Sequence, residues 1–184
     1  MKKLPYILLI SLFFVGLASC MDDDNNWDEY SKWRETNDNW LVEQSQKKNA
    51  DGSDYYTKLV PAWDESAYVL IHYFNDRKQT EGNLSPLYTS TVDVKYIGRL
   101  YNDVAFDSSY TQTAYGDSIY RTKCNAVIAG WTIALEDMRV GDSCEVLIPY
   151  QQGYMSSQMG IIPPYSCLKF NMKLVDIPYY ETNN

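Results

Sequence analysis

The sequence predicts an α+β domain in which a curved, mostly antiparallel sheet wraps one short helix, behind an N-terminal helical extension. Three observations carry this. Five stretches are rich in β-branched and aromatic residues, in places alternating with period two. One stretch, from about Gly130 to Arg139, carries Trp131, Ala134, Leu135 and Met138 at i, i+3, i+4 and i+7, a single apolar helical face. Near the N-terminus, Trp27, Tyr30, Trp33, Trp40 and Leu41 recur at mostly helical spacing up to about Gln46.

Taken in order, the chain opens with a targeting pattern. Lys2 and Lys3 precede an apolar run from Ile7 to Leu17, too short to span a bilayer comfortably and typical of a signal peptide, here residues 1–19. "LASC" follows, ending on Cys20, and then a polar tether, residues 20–26, with Asp22, Asp23 and Asp24. Residues 27–60 form the N-terminal helical extension, broken by "NADGSD" and closing on the first strand, "YYTKLV". The main domain, residues 61–184, begins with the strand "AYVLIHYF" and the polar loop "NDRKQTEGNLSP". "STVDVKYIGRL" is a strand with Val92, Val94 and Tyr96 on one face, and "LYNDVAF" reads as a turn in which Asn102-Asp103 tolerates left-handed geometry. Residues 107–126 read as a long irregular connection. The short helix then places Trp131 under the sheet, and Gly141 is expected at its C-terminal stop. "SCEVLIP" and "CLKFNMKLVDI" are the last strands, the second turning Leu168, Phe170, Met172 and Leu174 inward, with a long loop holding Tyr154 between them.

Composition excludes several function classes. The chain has 16 Lys and Arg against 24 Asp and Glu, a net charge of −8, and no basic patch, so nucleic acid is not an expected partner. One histidine, His72, lies mid-strand, and no Cys-x-x-Cys occurs, so neither a metal site nor His-based nucleophilic catalysis is expected. Cys124, Cys144 and Cys167 leave an odd count beyond Cys20, and Cys144 falls in phase with Val146 and Ile148 as a small buried hydrophobe. No glycine-rich phosphate loop is present, and no carboxylate pair stands out. What remains is a set of apolar residues near the long loops: Tyr96, Phe106, Val127, Ile128, Trp131, Tyr154, Ile161, Ile162 and Phe170, with Asp107 beside Phe106. They read either as a ligand pocket or as the core of a small barrel-like domain.

"VKYIGRL", "FDSS", "VIAGW", "VGDSCEVLIPYQQGY" and "GIIPP", in that order over about residues 91–177, resemble the FKBP-type peptidyl-prolyl cis-trans isomerases. The resemblance implies a five- or six-stranded antiparallel sheet around a short helix and isomerisation of X–Pro bonds, with no cofactor. It implies roles too. Trp131 is the floor for the proline ring. Val127 and Ile128 form a wall, with the Ile128 N–H donating to a substrate carbonyl. Tyr96, Phe106 and Phe170 line the sides, Asp107 is an acceptor at the buried edge, Tyr154 offers its hydroxyl to the amide carbonyl, and Ile162 caps the site. The chain departs from the family pattern at four places, one being the pocket aromatic before "VIAGW", which falls near Ser118 or Tyr120 and thins one wall. Gln112 stands near the arginine that usually pairs with the aspartate, leaving Arg121 as the candidate partner. Met155 replaces the glycine after the loop tyrosine, and Ala129 precedes "GW". Members with degenerate pockets act as binding or chaperone modules, which is the alternative reading.

"LASC" also resembles the lipobox of bacterial lipoproteins, which implies acylation of Cys20 and anchoring to an outer membrane, on its periplasmic or surface face. The aspartate run resembles surface-export signals of some Gram-negative lipoproteins and reads equally as a solvated tether. Trp27, Trp33 and Trp40 have three readings: packing of the helix on the domain, contact with a partner protein or glycan, or a homodimer interface.

Overall fold

The computed structural model describes residues 23–180. The signal peptide and Cys20 lie outside the described residues. Two helices open the chain, α1 (Asp23–Glu29) and α2 (Ser31–Ser45), where the spacing predicts an extension starting at Trp27. Seven strands follow: β1 (Thr57–Leu59), β2 (Val69–Tyr73), β3 (Thr91–Leu100), β4 (Ala105–Ser108), β5 (Tyr120–Lys123), β6 (Ser143–Ile148) and β7 (Leu168–Tyr179). The third helix, α3 (Ala129–Asp137), sits between β5 and β6. No helix among the described residues is long and apolar enough to cross a membrane.

All pairings are antiparallel, in the order β1-β2-β6-β7-β3-β4, with β5 also paired to β3. The seven strands exceed the five read from sequence because β4 and β5 fall in segments read as turn and irregular connection. They share one edge of β3: β4 lies opposite Ile97–Arg99 and β5 opposite Thr91–Val94. Buried Ser109 closes the gap between them, its N–H donating to the Tyr96 carbonyl (3.0 Å) and its Oγ accepting from the Tyr96 N–H (2.9 Å). The β3–β4 turn places Asp103 at φ 68, the left-handed geometry expected there.

Two apolar layers bury the sheet. On one side α3, Val92, Val94, Tyr96, Phe170, Met172 and Leu174 form the main core. Residues 130–135 of α3 are all buried, so the sheet and its loops enclose the helix beyond the single face its periodicity implies. On the other side Leu41 of α2 packs with Tyr56, Leu70, Leu147 and Cys167. With both faces covered, β2 and β6 lose the in-out alternation of a one-sided strand. Polar groups fix α2 in place. Trp33 Nε1 donates to Ser166 Oγ (3.0 Å), and fully buried Asn37 accepts from the Cys167 N–H (2.9 Å) while donating to the Trp33 carbonyl (2.8 Å). Trp33 and Trp40 both meet Tyr101, and Trp27 meets Tyr165 edge-on under Arg34. All three tryptophans thus pack within the chain.

One expectation is corrected. Gly141 does not cap α3, whose last residue is Asp137 and whose C-cap residue is Met138. Gly141 instead takes φ +98 in the turn into β6, donating to the Leu174 carbonyl (2.9 Å). Within the segment 27–60, the strand read in "YYTKLV" is β1, which joins the sheet through β2. His72 is structural: its Nδ1 lies 2.7 Å from the Tyr55 carbonyl and its ring stacks on Tyr55.

Candidate active site

The site begins where the chain enters α3. A single 3-10 turn, Cys124–Ala126, delivers Val127 and Ile128 in extended conformation. Ile128 is the N-cap residue. Its carbonyl accepts from the Trp131 and Thr132 N–H groups (2.9 and 3.3 Å), while its own N–H meets no acceptor among the described residues. Gly130 then explains "VIAGW". A Cβ at this position would stand 2.3 Å from Ile148 Cγ2, well inside van der Waals contact, so only glycine lets the first turn of α3 rest on β6. The next residue, Trp131, is thereby carried under the sheet and is 4% exposed.

Three rings meet the Trp131 indole edge-on: Tyr96 (centroids 4.8 Å, 84°), Phe170 (5.2 Å, 89°) and Tyr120 (6.2 Å, 84°). Such crossings are the favoured geometry for aromatic pairs. Phe106 crosses Phe170 in the same way (5.5 Å, 85°) directly over Gly98, where a Cβ would lie 2.6 Å from Phe106 and 2.7 Å from Phe170. The rings and Asp107, Ala126, Val127, Ile128 and Tyr154 surround a cavity of about 370 Å³. That volume falls within the usual range of small ligand sites.

The polar groups of this cavity are donors or an acceptor, and none is a cation. The Tyr96 hydroxyl donates to Asp107 Oδ2 (2.6 Å), and Asp107 Oδ1 accepts from the Ser108 N–H (2.8 Å). Burial, and then this bond to a carboxylate, push the Tyr96 phenol far above its ordinary range. Burial also raises Tyr154, with the Asp107 charge adding to it. Both phenols therefore stay protonated at neutral pH. Neither the Tyr154 hydroxyl nor the buried Trp131 Nε1–H has a protein partner among the described residues.

Eight of the nine residues given a role from sequence line this one cavity: Tyr96, Phe106, Asp107, Val127, Ile128, Trp131, Tyr154 and Phe170. Ile162 does not. It is buried in the main core, and its neighbour Ile161 points to solvent. Asp107 is exposed rather than held at a buried edge. Arg121 is not its partner. The register of β3 and β5 sets Arg121 opposite Asp93, and the two form a bidentate pair at 2.7 Å. The sequence reading left out Ala126 and placed the pocket aromatic near Ser118 or Tyr120; it is Tyr120 that lines the cavity. The signal for Tyr120 was the run "SIYRT", β-branched and aromatic, in a connection read as irregular. Among the described residues no group of three or more His, Cys, Asp or Glu is placed to hold a metal.

Comparison with known proteins agrees with this geometry. Residues 83–175 match the family described as FKBP-type peptidyl-prolyl cis-trans isomerase. The macrophage infectivity potentiator of Trypanosoma cruzi is 39% identical over 97 residues, 52% of this chain and 47% of that protein. The FKBP-type 22 kDa peptidyl-prolyl cis-trans isomerase of Escherichia coli is 39% identical over 100 residues, 54% of this chain and 46% of that one. The isomerase FkpA of the same species is 33% identical over 93 residues, 50% of this chain and 33% of that one. The chain thus spans less than half the length of these curated relatives. A crystal structure of a peptidyl-prolyl cis-trans isomerase from Pseudomonas syringae superposes with a TM-score of 0.64 at 23% identity, covering 80% of this chain and 95% of that one, a likeness of fold. With half of its residues matched by the family and the aromatic cavity in place, the chain belongs to the FKBP-type peptidyl-prolyl cis-trans isomerases.

Proposed function

We propose that the protein catalyses cis-trans isomerisation of X–Pro bonds in exported polypeptides, by desolvation and hydrogen bonding alone. One observation carries this reading: the rim of an aromatic cavity floored by the buried Trp131 indole holds two donors with no internal acceptor, the Ile128 N–H and the Tyr154 hydroxyl. The barrier to rotation, about 18–20 kcal/mol, comes from amide resonance. The planar amide is more charge-separated than the twisted one, so an apolar hollow disfavours it. The proline ring sits on Trp131, Tyr154 donates to the carbonyl before it, and Ile128 N–H donates to the carbonyl that follows. An acceleration of about 10⁴ needs only about 5.5 kcal/mol of differential stabilisation, and no proton has to move. The test is the isomerisation rate of a proline tetrapeptide. Tyr154→Phe should slow it about twofold to tenfold, the loss of one hydrogen bond, and Trp131→Ala should slow it further. No acceleration by the wild-type protein at micromolar concentration removes the catalytic reading; peptide binding without acceleration would favour the binding-module alternative.

Cys20 is proposed as an acylated anchor that holds the domain at a bacterial outer membrane, on either face. The support is Lys2, Lys3, the apolar run and "LASC". Mass spectrometry of the membrane fraction checks it: an unmodified N-terminus would refute it. Homodimerisation through α1 and α2 would use their outward side, where Trp27 and Val42 are exposed. Sizing of Val42→Asp against the wild type decides it, since an unchanged elution volume excludes that interface.

A further inference from the structure

A second cavity, of about 530 Å³, adjoins the first, and Val127 lines both. Trp63 and Tyr88 are among its lining residues, 56% and 54% exposed. Along α3 it is lined by Ala129, Thr132 and Glu136, which follow one another at i, i+3 and i+7. The Thr132 hydroxyl is occupied, donating to the Cys124 carbonyl (2.7 Å). Glu136 is not. It is half-buried, yet it meets neither a donor nor a cation among the described residues. Two large aromatics left in water beside a solitary carboxylate form an incomplete site. The chemistry that completes it is a lysine or arginine side chain, whose methylenes and charge lie on ring faces while its head reaches the carboxylate.

We propose that this groove receives a basic side chain of the substrate, within two residues on the C-terminal side of the proline, and so selects X–Pro bonds followed by lysine or arginine. The inference rests on the isomerase reading, which sets the direction of the chain. With the ring on Trp131 and the preceding carbonyl at Tyr154, the proline's own carbonyl faces the Ile128 N–H. The residues that follow then leave over Val127, the residue the two cavities share. One or two extended residues, each advancing about 3.3–3.6 Å, bring a side chain to the groove. Continuity with the prolyl cavity and the unpaired charge of Glu136 together fix the occupant.

The experiment uses tetrapeptides that differ only after the proline: Lys, Ala or Glu. For the wild-type protein kcat/KM for the Lys peptide should exceed that for the Ala peptide by about threefold to tenfold, the size of a partly desolvated cation–π and ion-pair contact, with the Glu peptide below both. The readout within each variant is the ratio of Lys to Ala rates, which cancels any general loss of folded protein. Glu136→Gln should bring that ratio to within twofold of unity, Glu136→Lys should invert it, and Trp63→Ala should lower it. A wild-type protein that turns over the Ala peptide with no Lys preference overturns the inference and leaves the isomerase reading intact. So does a preference undiminished in Glu136→Gln, which would report only the net charge of −8. Should no peptide be accelerated, the isomerase reading fails. Affinities of the same peptides by fluorescence anisotropy then decide the groove separately, equal affinity for Lys and Glu peptides refuting it.

Discussion

Gly130→Ala sets two known effects against each other. In an ordinary exposed helix position, alanine is about 1 kcal/mol better than glycine. Here the added methyl would lie 2.3 Å from Ile148 Cγ2 and 2.9 Å from its Cγ1 and Cδ1. Relaxed carbon contacts are about 3.5–4.0 Å, so more than an ångström must be found. Ile148 is fully buried and β-branched, with little rotamer freedom to yield. The displacement falls on α3, which lifts from β6 and carries Trp131 with it. Overpacking of this kind costs about 1–3 kcal/mol, more than propensity returns. The net loss is up to about 2 kcal/mol, a fall in Tm of up to about 8 °C for a chain of this size. Isomerisation should fall as well, although Gly130 does not line the cavity. Denaturant unfolding of Gly130→Ala, Ile148→Ala and the double variant measures the coupling. The double variant should be more stable than the sum of the single losses by about 0.5–3 kcal/mol. Additive losses, or a Gly130→Ala protein more stable than the wild type, would refute the close-contact account.

Burial, with the Asp107 charge, raises Tyr154 above its ordinary value of 10.0. Any alkaline decline of the isomerisation rate that follows this hydroxyl should therefore be centred above pH 10, and a decline centred below it would refute the account. At Asp142, burial alone would raise the carboxyl, but hydrogen bonds from Thr80, Asn75 and the Arg139 N–H, together with the Arg77 charge, outweigh it and bring the net shift down. A lowered folded value stabilises the protein above the unfolded value of about 4, and that contribution is lost as pH falls through the folded value. Urea midpoints at pH 7 and pH 3 should thus differ more for the wild type than for Asp142→Asn, and equal differences would remove the role. Met155 occupies left-handed backbone at φ 54 and is exposed. Met155→Gly should stabilise the protein by about 0.5–1 kcal/mol, read as a higher Tm, and a lower Tm would show the strain to be absent.

The strands with strong alternation were legible, because period two in β3 and β7 survives wherever one face meets the core. The cavity residues came through the ordered motifs around Asp107, Trp131 and Tyr154. What stayed hidden depends on contacts distant in sequence. β4 and β5 are only four residues each and lie against β3 in separate halves, too short for their pattern to stand out from the loops around them. Arg121 was a candidate partner for Asp107 until the register placed it opposite Asp93. The roles of Gly98 and Gly130 are set by rings and methyls that approach from other strands, which no local pattern displays.

The sheet finishes at one side in a strand of three residues, β1, and at the other in two strands of four, β4 and β5. A molecule that handles unfolded polypeptide constantly meets extended chain seeking a strand to join. Long bare borders would hold such chain by its backbone, whatever its sequence, and release it slowly. Clipped borders deny that grip, so under the proposed function a client would be held by its proline and set free once the bond has turned.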